Sequence, residues 1–256
     1  ILRLHGCLYG QKCASKQFYC TLATWLCDNG FVQAKNEPCL FVNAAGVKVL
    51  LWVDDLLVRG LRADTDTFHD ALEARFECRE GARQYLDYDH HLEYCGLKMS
   101  VTDTDAGDLY SMDQGDDVAT FLLDFGLDSE PIRSSPMPNL DLLLSDTTVL
   151  GPNSSNWCMS AIDVLHFLAR GTGWDIPLAV SMLSQFNAVP TKGVEAAIRY
   201  LAGYLNDTVD QSLAGIRMCG VDVIDSYVDA SHHGAKAMHS QSQTGMVCLS
   251  GGEALG

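Results

Sequence analysis

Positive charge is what this chain has least of. Its 256 residues carry 17 Lys+Arg against 33 Asp+Glu, a formal net charge of -16. No two basic residues are neighbours anywhere along it. That balance counts against a simple basic groove for nucleic acid and leaves room only for a local basic face. The ten cysteines include no C-x-x-C pair and no metal-type spacing. They therefore read as free thiols in a reducing compartment. No apolar run reaches the ~18 residues a membrane span needs, and no signal peptide is visible, so no membrane is expected as a partner. Internal repeats and low-complexity stretches are absent too. With 47% hydrophobic residues there is enough for a sizeable core, in one large domain or two modest ones. Ile1 begins mid-element without an initiator Met and Gly256 ends a turn-like segment, so both ends read as cut from something longer.

What is present centres on Val47 to Gly60, VKVLLWVDDLLVRG. An apolar run leads into Asp54 and Asp55, and a second apolar run follows at once. Burying two like charges beside core strands is costly unless a cation compensates, and oxygen ligands suit Mg²⁺. The stretch reads as a β-hairpin whose tight turn presents an aspartate pair to a metal. A solvated turn between two core strands is the other reading, because Asp is common in turns.

Around it the pattern predicts α+β. Gly10 to Asn29 reads as a helix with Phe18, Leu22 and Leu26 on one stripe, stopped by Asn29-Gly30. Cys13, Cys20 and Cys27 share a helix face at heptad spacing and read as small buried residues. Strands are expected over Cys39 to Val42 and Val47 to Val53, joined by Asn43 to Gly46. A helix from Thr65 to Glu77 takes Asp64 as its N-cap. A short strand covers Leu97 to Val101. The acidic run Asp103 to Asp117 reads as a solvated hairpin in preference to a calcium loop, because Gly107 falls one position early and no Glu closes the loop. A helix from Asp116 or Asp117 to Phe125 stops at Gly126. After a proline-rich connector, Ser129 to Pro138, helices are expected over Trp157 to Arg170, Ile176 to Phe186 and Pro190 to Leu205. Strands over Val221 to Val228, ending in Asp229, and Met246 to Leu249 close the order. The pairs His90-His91 and His232-His233 read as surface residues, for want of a partner cluster.

The order of short blocks resembles the reverse-transcriptase region of copia-type LTR retrotransposon polyproteins. Leu8-Tyr9-Gly10-Gln11-Lys12-Cys13-Ala14 is similar to the family's L-Y-G-L-K-Q-A, and Trp52-Val53-Asp54-Asp55 to its Y-V-D-D. Phe76 and Gly96-Leu97 are similar to its K-x-F and F-L-G blocks, and Ser134-Ser135-Pro136-Met137 to V-S-T-P-M. Thr172 to Ile176 lies where the family has T-R-P-D-I. Leu183 to Phe186 is similar to L-S-R-F, Pro190-Thr191-Lys192 to P-T-K, and Arg199 to Gly203 to R-Y-L-K-G. Tyr227-Val228-Asp229-Ala230 is similar to the opening of the ribonuclease H domain, and Ser242 to Gly245 to its S-T-S-G. Each block is weak alone; their collinearity over nearly the whole chain carries the resemblance.

The resemblance implies an RNA-directed DNA polymerase: a partial palm and thumb over residues 1–128, a helical connection over 129–220, and the N-terminal part of a ribonuclease H-like domain over 221–256. It implies an RNA or DNA template-primer and dNTP as partners, the rest of a polyprotein, and an intracellular setting in a cytoplasmic particle or the nucleus. It implies Mg²⁺, or Mn²⁺ in its place, held by Asp54 and Asp55 for two-metal phosphoryl transfer. Tyr9, Gly10 and Lys12 would adjoin the templating base and incoming nucleotide, although Lys12 reads equally as an exposed first-turn lysine. Asp229 would be the first acidic position of ribonuclease H. The family's upstream metal-binding Asp has no counterpart, so the chain alone is expected not to polymerise. Gln11, Cys13, Trp52 and Gly173-Trp174 also depart from the family. A non-catalytic nucleic-acid-binding remnant and a relic without function are the alternative expectations.

Overall fold

The structure, a computed structural model, describes residues 11–104, 107–137 and 146–209, and the backbone of strands at 215–217, 224–231, 243–250 and 253–255. Two compact units divide the chain. The first holds Ile1–Tyr85 with Leu92–Cys95, the second Leu86–His91 with Gly96–Gly256. Both mix helices with antiparallel sheet, so the fold is α+β. Among the described residues no helix is long and apolar enough to cross a membrane.

The first unit runs α1 (Ala14–Asp28), β1 (Phe31–Gln33), β2 (Leu40–Asn43), β3 (Lys48–Trp52), β4 (Asp55–Arg59), α2 (Arg62–Arg75) and β5 (Leu92–Tyr94). Strands β1 to β4 pair antiparallel in sequence order. The two-residue period of a strand decides their faces. Phe31, Phe41, Val49 and Leu51 point inward against Leu22 and Leu26 of α1 and Phe68 and Leu72 of α2. Leu40, Val42, Leu50 and Leu57 alternate with these and lie on the opposite face. Between β2 and β3 the Asn43 side chain accepts from Val47 N at 2.9 Å, and Gly46 takes φ 84°, which suits a residue without Cβ. After α2 the chain is clasped back onto that helix. Tyr85 donates to Asp66 at 2.6 Å, the Arg62 guanidinium lies 3.3 Å from the Tyr85 ring centre, and Arg83 reaches Asp70 at 2.8 Å and Glu73 at 3.1 Å. The clasp sends the chain on to β5, which lies against β4.

The second unit pairs β6 (Leu97–Thr104) with β7 (Gly107–Asp113), and β8 (Gly215–Arg217) with β7. Helices α3 (Gly115–Asp124), α4 (Pro152–Arg170), α5 (Pro177–Ser184) and α6 (Lys192–Thr208) bury one apolar core that includes Phe121, Ile162, Leu165, Leu183, Ile198 and Leu201. Strands β9 (Ile224–Ser231), β10 (Gln243–Ser250) and β11 (Glu253–Leu255) form a separate antiparallel sheet in the order β11-β10-β9.

Several of the matched blocks turn out to fasten this unit. Thr191 caps α6 by accepting from Val194 N. From α6, Arg199 pairs with Glu130 at 2.9 Å, and Arg133 lies over the Tyr200 ring at 4.8 Å. Gly203 lets the connector backbone cross the helix, with Arg133 N donating to Gly203 O at 3.1 Å. The R-Y-L-x-G block is thus a clasp for residues 130–133. The divergent Gly173-Trp174 is accommodated as well: Trp174 Nε1 donates to Gly171 O at 2.7 Å.

The structure corrects several expectations. Cys13, Cys20 and Cys27 are exposed, not buried, because Leu22 and Leu26 already fill the inward side of α1. Phe18 is partly exposed, being nearer the helix start. Asp64 sits inside the first turn of α2 and Leu61 takes the cap position in extended backbone. Pro190 precedes α6, whose cap is Thr191. Helix α4 begins at Pro152, ahead of Trp157, since a proline in the first turn needs no donor there. Strand β9 runs through Asp229 to Ser231 instead of ending at it. Strands β1, β5, β8 and β11 are three residues each, too short for alternation to reveal.

Candidate metal-binding hairpin

Strands β3 and β4 are locked in register by five pairs, from Lys48↔Arg59 to Trp52↔Asp55. The last pair leaves only Val53 and Asp54 for the turn. Asp54 therefore sits on the tip and Asp55 opens β4. Val53 adopts φ 51°; among the described residues only Val53 and Cys95 combine a side chain with positive φ. Positive φ at the first central residue alone is the II′ pattern, whose twist matches the flanking strands and which normally takes Gly there. A β-branched residue in this conformation costs about 1–2 kcal/mol. Replacing Val53 by Gly is expected to raise the denaturant midpoint, by about 1 kcal/mol of stability. A lowered midpoint would show that the valine side chain contributes more than its backbone strain removes.

Of the two readings of the pair, a cation-compensated pair beside core strands and a solvated turn, the exposure of both carboxylates matches the second, and no burial cost exists for a cation to offset. Trp52, at 61% exposure, and Val53, at 46%, are open to solvent as well. The tip is a projecting element with two acids and two apolar side chains.

Two groups that the sequence reading left aside join it. Strand β5 brings Tyr94 and Cys95 within electrostatic reach of the pair. Burial pushes the Tyr94 hydroxyl up, with the thiol of Cys95 and the charge of Asp55 adding to it. Burial likewise pushes the Cys95 thiol up; Asp55 and Asp54 add to this, against a hydrogen bond with Tyr94 that lowers it. Cys95 takes φ 54° and Gly96 φ 76°, a tight turn directly after β5. The only sequence signal was Gly96-Leu97, read as a family block with no reference to its neighbours.

The other candidate residues are scattered. Lys12 is exposed in the turn before α1. Tyr9 and Gly10 lie outside the described residues, as do His232 and His233. Asp229 lies within β9, opposite Gly245 of β10, and its side chain is not described. His90 contacts Asp87 at 2.7 Å on the surface. Among the described residues no group of three or more His, Cys, Asp or Glu side chains could hold a metal ion. Asp54 and Asp55 are two adjacent exposed carboxylates, hard oxygen donors of the kind Mg²⁺ accepts, and they do not make a closed protein cage.

Two curated proteins match over most of this sequence. The retrovirus-related Pol polyprotein from transposon RE1 of Arabidopsis thaliana is 28% identical over 225 residues, 80% of this chain. The corresponding polyprotein from transposon RE2 of the same plant is 29% identical over 215 residues, 79% of this chain. The chain is related to a region of retrotransposon Pol polyproteins. It spans only 14% of the length of either polyprotein. No family model matches the chain, and no solved structure does.

Proposed function

We propose that this Pol-like region is part of an RNA-directed DNA polymerase, and that its β3–β4 hairpin supplies two carboxylates to the metal site. The first unit is then a partial palm, its helices on one face of an antiparallel sheet. The helices of the second unit are the thumb and connection, and β9 to β11 are the first strands of a ribonuclease H-like domain opened by Asp229. The observation that carries this reading is the tight hairpin itself: a two-residue turn that projects Asp54 and Asp55 into solvent. An exposed acid pair can meet an incoming phosphate and its cation.

Asp54 would be the principal ligand and Asp55 its neighbour. Mg²⁺ bound there would supply charge to a phosphate and lower the pKa of a hydroxyl. Trp52, on the same tip, offers an indole face near the primer end where the family has a phenol. Tyr9, Gly10 and Lys12 would stand beside the templating base and dNTP. Two carboxylates do not complete a two-ion site, so the chain by itself is proposed to be inactive and to need further residues of the polyprotein.

Primer extension tests this. The isolated chain is expected to give no Mg²⁺-dependent extension of a primed template, and a longer polypeptide with the segment encoded upstream is expected to extend it. Extension by the isolated chain would sink the proposed incompleteness. Failure of the longer polypeptide would sink the enzyme reading in favour of a relic.

A further inference from the structure

Seven prolines punctuate this chain, and Pro136 is the only one preceded by a serine or threonine. It lies between α3 and α4 in the block Ser134-Ser135-Pro136-Met137, to which the polymerase reading gives no role. The two halves of this connector differ. Its upstream half is fastened to α6: Glu130 pairs with Arg199 at 2.9 Å, and Arg133 N donates to Gly203 O at 3.1 Å. Its downstream half is held by little. Among the described residues, Ser134 to Met137 make no backbone–backbone hydrogen bond. The Ser135 hydroxyl donates to Met137 O at 3.4 Å, long for an O–H donor. Ser134 is exposed, and Ser135 and Pro136 are half-buried.

Pro136 removes a backbone donor and turns the residue before it away from helical backbone. A serine so placed, outside any helix or ladder, can be drawn out as the extended peptide that a protein kinase takes into its cleft. The residue upstream favours a charged product. Arg133 lies over the Tyr200 ring at 4.8 Å and belongs to no ion pair among the described residues. Its Nε is buried and has no acceptor among them either. A buried donor left without an acceptor destabilises the fold that holds it. Residues two apart along a chain are separated by at most about 7 Å. That is less than the combined reach of an arginine and a phosphoserine, so an anion on Ser135 stands within range of this guanidinium.

We propose that Ser135 is the acceptor of a proline-directed protein kinase, and that its phosphate fastens the connector by pairing with Arg133. The Ser135 Oγ attacks the γ-phosphorus of ATP and gives up its proton to the kinase; the bond from that phosphorus to the bridging oxygen breaks, and ADP leaves. The product carries about -1.5 to -2 charges at pH 7 and three strong acceptor oxygens. Hydrogen bonds between such an anion and the planar fork of a guanidinium are shorter and stronger than neutral ones. Phosphorylation therefore tightens the crossing at Gly203 by which the connector is held to α6. The unmodified connector is the looser of two states.

The test treats the whole 256-residue chain with a purified proline-directed Ser/Thr kinase and ATP. Peptide mass spectrometry then reads the site, and thermal unfolding is compared with an untreated sample. One phosphate is expected on Ser135. It should be absent from Ser135→Ala and Pro136→Ala and retained in Ser134→Ala. The phosphorylated chain is expected to unfold about 3 °C higher than the unmodified one. In Arg133→Gln the rise should vanish, and in Arg133→Lys, which keeps the charge without the fork, only part of it should remain. Each rise is taken against the same variant without phosphate, so a change in that variant's own stability does not enter. No phosphate on the wild type, or phosphate elsewhere with Ser135 unmodified, would overturn the proposal. So would an unchanged or lowered midpoint in the phosphorylated wild type, or a full rise in Arg133→Gln.

Discussion

Asp54→Asn, introduced into a longer polypeptide that extends a primer, is expected to slow single-turnover extension about a thousandfold. The variant keeps the shape of the side chain and removes its charge. A carboxylate that holds a cation against a phosphate contributes several kcal/mol to the transition state, and each 1.36 kcal/mol is about tenfold. Asp55→Asn is expected to lose less, because Asp55 lies in the β-ladder opposite Trp52 while Asp54 occupies the tip. Neither substitution should disturb folding. Both groups are exposed, and surface changes of this kind stay within about 0.5 kcal/mol. Loss of rate without loss of stability therefore separates a ligand from a structural acid. An unchanged rate in Asp54→Asn would remove the hairpin from the metal site altogether.

Gly203→Ala is expected to be a strongly damaging single methyl in the second unit. A Cβ at this position would run into Pro131 O and stand 3.0 Å from Arg133 Cγ. The first obstacle is backbone, which cannot rotate away as a side-chain end can. Either α6 retreats from its core, or residues 130–133 lift off and abandon the pairing of Arg199 with Glu130. Overpacking of this kind costs about 3 kcal/mol. In a unit of this size that corresponds to a fall in Tm of roughly 10 °C. Arg133→Ala, by contrast, should cost less, since it removes one contact over the Tyr200 ring and leaves the backbone hydrogen bond to Gly203. A shift below 1 kcal/mol for Gly203→Ala would mean that the connector is not held against α6 in solution.

The hairpin was legible because its signals are local. Apolar residues on both sides of two acids, in a run of strand length, imply a turn whatever the rest of the chain does. Long helices were legible by the same logic of period, as in Ala197, Leu201 and Leu205. Which face of a stripe is inward was less legible. The spacing of Cys13, Cys20 and Cys27 identified one face correctly, but spacing does not rank it against Leu22 and Leu26, whose side chains bury more apolar area. The exposure of Asp54 and Asp55 was not legible either, because a hairpin tip can project from a core or fold across it. Cross-strand neighbours are the extreme case. Lys48 and Arg59 are eleven positions apart in sequence, and only the register at Trp52↔Asp55 makes them adjacent. Tyr94 and Cys95 joined the tip through the clasp of Tyr85 and Arg83 on α2, a tertiary event without a sequence period.

The outward cysteines of α1 set how this chain ages in air. Successive members of Cys13, Cys20 and Cys27 are about 10.5 Å apart along the helix at 1.5 Å per residue. A disulfide closes only when Cα atoms lie within roughly 7 Å, so two members of this row cannot bond to each other. All three face solvent, where another molecule can reach them. Where these thiols meet those of another molecule, oxidation links the two end to end or side by side. A chain with several such points on one face behaves as a multifunctional monomer, and its oxidised product is a branched network instead of a discrete dimer.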